Sequence, residues 1–161
     1  MDLEGFNRAP EADLEQALSA CADVPAWVAA LIAGRPYADV AELIARADEL
    51  ARAWTRDDVD RALAQHPRIG DRADGASARE QAGVATDDGT RARLRAANEA
   101  YEARFDRVFL IRAAGRSAPE VLAALEERLG NDPATEREVV AAELREIAVL
   151  RLQELVTEAA V

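Results

Sequence analysis

One histidine, His66, stands in the stretch LAQHPRIGDR (63–72), where a helical pattern must give way to proline and turn-forming residues. An imidazole is the side chain best suited to exchange a proton near neutral pH. Pro67 would fix the direction in which the backbone presents it. The structural alternative is that a histidine at a helix C-terminus simply favours the negative end of the helix dipole. Shortly afterwards, SAREQ (77–81) puts Ser77, Glu80 and Gln81 on one side of a helix's first turn. Ser77 and Glu80 have the spacing of a capping box, which satisfies two backbone N–H groups. The same residues are also suited to chemistry: a carboxylate can hold an imidazole, and a carboxamide offers a donor and an acceptor to a ring edge.

Arg151 is the third feature. Val140, Leu144, Ile147 and Leu155 form the apolar stripe of a C-terminal helix, and Arg151 falls in the middle of it. A guanidinium turned toward a core keeps its charge, so it must be paired or must bind an anion. Glu154 or another internal carboxylate is one partner; an anionic ligand is the other.

Composition narrows the chemistry further. All 20 basic residues of the 161 are arginine, which excludes a Schiff-base lysine, a lysine-anchored pyridoxal group and a lysine-containing phosphate loop. One cysteine, Cys21, excludes an internal disulfide and a cysteine-based zinc site. No compact cluster of His and carboxylates has metal-ligand spacing, so no metal is expected. The net charge of −11 argues against nucleic acid or an anionic membrane as the main partner. No apolar run approaches the ~20 residues of a membrane span, and the acidic start MDLEGFNRAPEADLEQ lacks a signal-peptide pattern. A cytoplasmic protein is expected.

The elements that must position these residues are helical. Leu14, Ala17, Leu18 and Cys21 mark one amphipathic stretch. Asp23 and Pro25 open a second, carrying Trp27, Val28 and Leu31, which Gly34 and Pro36 stop. From Asp39, apolar residues recur at three and four up to Trp54. Thr55 and Asp58 read as a capping pair for a helix from Val59 to about Gln65, ended by Pro67. A helix is expected from near Ser77. A long one follows the acidic turn TDDGT, lined by Leu94, Ala97, Tyr101, Phe105 and Val108. Ser117, Pro119 and Glu120 start another, which Gly130 closes. The last begins near Asp132 or Thr135 and runs to about Val156. No β-alternation or internal repeat is present. The expectation is one compact all-α domain of several helices over residues 1–161.

Taken in order, HPRIGDR, SAREQAGV, NEAYEARFDRVFLIRAAGRSAPEVLAALEERLGN and EIAVLRLQEL form a set that resembles the OHCU decarboxylases, in their bacterial form. OHCU is 2-oxo-4-hydroxy-4-carboxy-5-ureidoimidazoline, a compound of urate degradation. GFN near the start, Trp27 and RPYADVAELIARAD extend the likeness to nearly the whole chain. His-Pro followed at this interval by Ser-x-x-Glu-Gln is the specific part.

The resemblance implies an all-α fold of that family type and a cofactor-free carboxy-lyase converting OHCU to (S)-allantoin and carbon dioxide. It implies His66 as the catalytic histidine with Glu80 as its partner carboxylate. Pro67, Ser77, Gln81 and Arg151 would line the substrate pocket. Phe109, Leu110, Ile111, Arg112 and Ala113 match a segment whose backbone meets the ring and ureido groups. The partners implied are the small-molecule substrate and product, with a homodimer allowed. Two other readings stand beside it: a non-catalytic all-α interaction module, and an enzyme of the same fold acting on a related ureido or hydantoin compound.

Overall fold

A computed structural model describes residues 1–70, 79, 81–82 and 87–157. Among these residues there are helices and no strand, as expected. None of the helices is long and apolar enough to cross a membrane. The chain divides into two units: residues 1–62 together with those from Arg145 onward, and residues 63–144.

The first unit begins with α1 (Leu3–Arg8), a short helix whose N-terminus is capped by the Asp2 carboxylate on the Gly5 N–H. Then come α2 (Glu11–Cys21), α3 (Pro25–Ala33), α4 (Val40–Arg52) and α5 (Arg56–Leu63). Asp39 caps α4 through the Glu42 N–H, as its position at the start of the periodic run predicts. Helix α3 departs from expectation at its start. Val24, not Asp23, is its N-cap, because Pro25 supplies the preset first-turn geometry. Asp23 instead takes both Nε and Nη2 of Arg61. Helix α5 begins three residues earlier than expected, since Thr55 and Asp58 cap each other's N–H groups and the helix starts directly after Thr55. The core of this unit gathers around Phe6, Leu14, Leu18, Trp27, Leu31 and Leu43, all nearly inaccessible. Trp27 donates its indole N–H to the Ala47 carbonyl at 3.0 Å and meets Trp54 edge-on. Gly34 allows the tight chain reversal after α3, because a Cβ there would collide with the Tyr37 hydroxyl.

The second unit holds α6 (Asp88–Phe105) and α7 (Ala118–Arg128). Asp87 caps α6 at the Thr90 N–H. The helix stops at Phe105, short of Val108, because Asp106 adopts a left-handed conformation (φ 54°) that releases the chain. Ser117 and Glu120 form a complete capping box on α7, with Pro119 in its first turn. Arg128 is the last residue of α7, and Leu129 rather than Gly130 occupies the C-cap. Ile69, Leu94, Tyr101, Phe109, Ile111, Ala113, Val121 and Leu125 pack into one buried cluster in this unit.

The last helix, α8 (Pro133–Thr157), opens on Asp132, whose carboxylate accepts from the Ala134 and Thr135 N–H groups. Its residues to Leu144 count with the second unit and those from Arg145 with the first.

Candidate functional site

His66 lies three residues beyond the end of α5, with its N–H on the Leu63 carbonyl at 3.0 Å and its side chain half-buried. Pro67 follows, also half-buried. The loop after them is held at three successive residues. Arg68 makes a two-point ion pair with Glu102, Nε to Oε1 at 2.8 Å and Nη2 to Oε2 at 2.6 Å. The Ile69 carbonyl accepts from Asn98 Nδ2 at 3.0 Å. The Gly70 N–H donates to Gln81 Oε1 at 3.1 Å, with Gly70 at φ 91°, a conformation that favours glycine. Asn98 and Glu102 are one turn apart on α6, so a single helix face fixes the loop that carries His66.

Gln81 is thus brought to the His66 loop. Its carbonyl oxygen accepts from the Gly70 N–H, and its side chain carries amide N–H₂ donors as well. Ser77 and Glu80 lie outside the described residues; of the helix expected from Ser77, the described residues are Arg79, which is helical, and Gln81 and Ala82, which are not in an α-helix.

Residues 109–113 are non-helical and run between α6 and α7. Phe109, Leu110, Ile111 and Ala113 are buried, while Arg112 is half-buried. Phe109, Ile111 and Ala113 share their core cluster with Ile69 of the His66 loop, so these two parts of the expected site meet in one unit. The Leu110 carbonyl accepts from Arg128 Nη1 at 2.6 Å, and the Arg112 N–H donates to Glu143 at 2.7 Å.

Arg151 belongs to the first unit. It is 9 % exposed, as its place in an apolar stripe predicts, and Nη1 points to the Ala20 carbonyl at 3.4 Å. The adjacent Cys21 has its thiol pushed up to about 12, chiefly by burial, with Arg151 drawing it down and Glu154 raising it. A thiol so far from ionisation is a poor nucleophile, which removes Cys21 from the candidate chemistry.

Four further residues that touch the loop or the 109–113 segment were not among those expected from sequence: Asn98, Glu102, Arg128 and Glu143. Behind Arg128 stands Glu136, fully buried, which receives its Nε at 2.9 Å and also binds its Nη2, the Tyr101 hydroxyl and Asn131 Nδ2. Asn98, Arg128 and Glu136 carried a legible signal, since each is a polar residue at helical spacing from buried apolar neighbours (Leu94, Leu125 and Val140).

Comparison with known proteins gives a consistent result. The family model for OHCU decarboxylase matches residues 7–153. The 2-oxo-4-hydroxy-4-carboxy-5-ureidoimidazoline decarboxylase of Amia calva is 33% identical over 141 residues, covering 82% of this chain and 81% of that protein. A crystal structure of OHCU decarboxylase in the presence of (S)-allantoin superposes with a TM-score of 0.75 at 27% identity, covering 86% of this chain and 96% of the other. A crystal structure of (S)-allantoin synthase has the same fold, with a TM-score of 0.73 at 19% identity over 94% of this chain and 53% of that one.

Proposed function

The chain belongs to the OHCU decarboxylase family, and from that membership we propose that it converts OHCU to (S)-allantoin and carbon dioxide in urate degradation. The observation that carries this reading is the family match over residues 7–153, which takes in the His66 loop, the 109–113 segment and Arg151.

Losing carbon dioxide leaves a bonding pair that needs a sink. In OHCU the carbon that loses it adjoins a ring C=N, so the substrate can receive the pair itself, the ring nitrogen taking up a proton. The hydroxyl on that carbon then gives up its proton to become a carbonyl. The neighbouring carbon, which bears the ureido group, takes a proton on one face and becomes the stereocentre. The protein's work is to hold the substrate, move those protons and choose the face.

In this reading His66 is the acid/base, carried on a loop pinned at Arg68, Ile69 and Gly70. Glu80 orients the imidazole and favours its charged form. Ser77, Gln81 and Arg151 bind polar edges of the ring and ureido group, Gln81 with the donor and acceptor of its carboxamide. Pro67 lines the pocket, and the backbone of Phe109, Leu110, Ile111, Arg112 and Ala113 reads the ring and ureido groups. No cofactor or metal is required. The chain acts as one domain over residues 1–161, in the cytoplasm, on a small-molecule substrate, without nucleic acid or membrane, and a homodimer is compatible with it.

The test is the handedness of the product. OHCU generated from urate decays unaided to racemic allantoin, so substrate loss alone is a poor assay. With the protein present, circular dichroism should report (S)-allantoin without added metal and without loss on chelation. Racemic allantoin at high protein concentration overturns the assignment.

A further inference from the structure

An irregular segment buried inside a helical unit is costly unless its peptide groups find partners. Residues 109–113 are such a segment, and charged side chains meet its backbone from three places. Arg128, at the end of α7, donates to the Leu110 carbonyl at 2.6 Å. Glu143, in α8, accepts from the Arg112 N–H at 2.7 Å. Arg116 donates from Nε to the Arg112 carbonyl at 3.0 Å.

Arg128 is itself immobilised. The buried Glu136 carboxylate binds its Nε and Nη2, while the Tyr101 hydroxyl and Asn131 amide bind the same carboxylate. The guanidinium also lies over the Phe109 ring, 4.6 Å from its centre. Buried charges of this kind add little net stability compared with a well-packed apolar core. Their distinctive contribution here is directional: each fixes one peptide plane.

We propose that Arg128 and Glu143 are positioning residues that set the peptide planes on either side of Ile111, so that this backbone meets the ligand already in its bound geometry. The inference rests on the reading that residues 109–113 line the OHCU pocket. Backbone dipoles held in place in advance need no rearrangement as charge moves during reaction. A segment free to rotate would accept the ring in more than one pose. Loosening it should therefore lower kcat and the excess of (S)-allantoin while leaving the fold intact.

Glu143 is the residue to vary, since it is half-buried, whereas losing either charge of the Arg128–Glu136 pair can unfold the unit. Glu143→Ala should reduce kcat by roughly 10–10²-fold, the range expected when a reacting group is misplaced by about 1 Å. It should also erode the (S) excess and speed amide exchange at Arg112. Glu143→Gln retains an acceptor oxygen and should recover most of both. Should the alanine variant fail to fold, Glu143→Met keeps the aliphatic stem and removes the acceptor. A folded Ala or Met variant with wild-type kcat, KM, product handedness and Arg112 exchange overturns the proposal. If the unaltered protein yields racemic product, the functional reading fails instead, and Arg112 exchange in Glu143→Ala still decides whether the clamp exists.

Discussion

Arg68, two residues after the candidate acid/base His66, is locked to Glu102 of α6 by two parallel N–H···O contacts of 2.8 and 2.6 Å. Both side chains are about one-third exposed or less, so the pair adds only modestly to stability. Its geometric effect is larger, because it ties the His66 loop to a rigid helix. Glu102→Gln should leave the melting temperature within a few degrees of wild type while lowering kcat/KM several-fold. An unchanged kcat/KM would show that Asn98 and Gln81 suffice to hold the loop.

His66→Ala should lower turnover by roughly 10²–10⁴, the usual contribution of a positioned acid or base. His66→Gln should do little better, since an amide cannot exchange protons near neutrality. Far-ultraviolet circular dichroism of both should match wild type, because the side chain stands outside any helix. Near-full activity in a folded His66→Ala protein would remove the histidine from the reaction.

Arg151 separates a ligand contact from a core ion pair. If the guanidinium binds ligand, Arg151→Lys keeps the charge and loses the planar fork. The stabilisation conferred by allantoin should then shrink sharply, since a ligand stabilises the native state in proportion to its affinity. If Arg151 serves only an internal carboxylate, Arg151→Ala should melt far below wild type, with a loss of ~3–5 kcal/mol. The shift produced by allantoin should then be undiminished. Thermal melts of wild type and both variants, with and without allantoin, distinguish the two.

Acid should attack the helix starts of the second unit and of α8. Hydrogen bonds from the Thr90, Ser117 and Thr135 N–H or hydroxyl groups hold the Asp87, Glu120 and Asp132 carboxyls below their ordinary values. A depressed folded-state value means the contribution is complete above the unfolded-state value and is lost as pH falls through the folded one. The melting temperature should therefore decline from the ordinary carboxylate range downward. Asp87→Ala should lower it at neutral pH and flatten the decline. A slope unaltered by Asp87→Ala would mean that other carboxylates govern acid unfolding.

The helix starts most legible in the sequence are those with both an apolar period and a side-chain cap, whereas α2 and α3 show only their apolar residues and a proline, with no side-chain cap. Asp39 before α4 and Ser117 with Glu120 on α7 show why: each pairs a side-chain acceptor with specific N–H groups a fixed distance along the chain. Helix α1 has six residues and one buried side chain, Phe6, too little for a period to show. Val108 continues the apolar spacing of α6, but the left-handed turn at Asp106 cuts the helix first, and an aspartate forecasts such a turn only weakly.

The site divides along the same line. His66 stood out as a single titratable group before a proline, and Arg151 as a charge in an apolar stripe. Asn98, Arg128 and Glu136 bore the stripe signal too, yet what they hold is backbone elsewhere in the chain or one another. Glu143 meets an N–H 31 residues away, and no spacing rule within one helix reaches that far.

The lone thiol makes the first unit self-reporting. Cys21 is 5 % exposed and its ionisation is pushed up to about 12, so an alkylating reagent at mildly alkaline pH meets almost no thiolate while the unit is closed. Once the surrounding helices part, the group regains ordinary acidity and is trapped. With a single cysteine in the chain, one added mass per molecule counts opening events directly, without an engineered label. The rate of that trapping, measured with allantoin present and absent, becomes a clock that tells whether ligand binding slows the opening of the Arg151 neighbourhood.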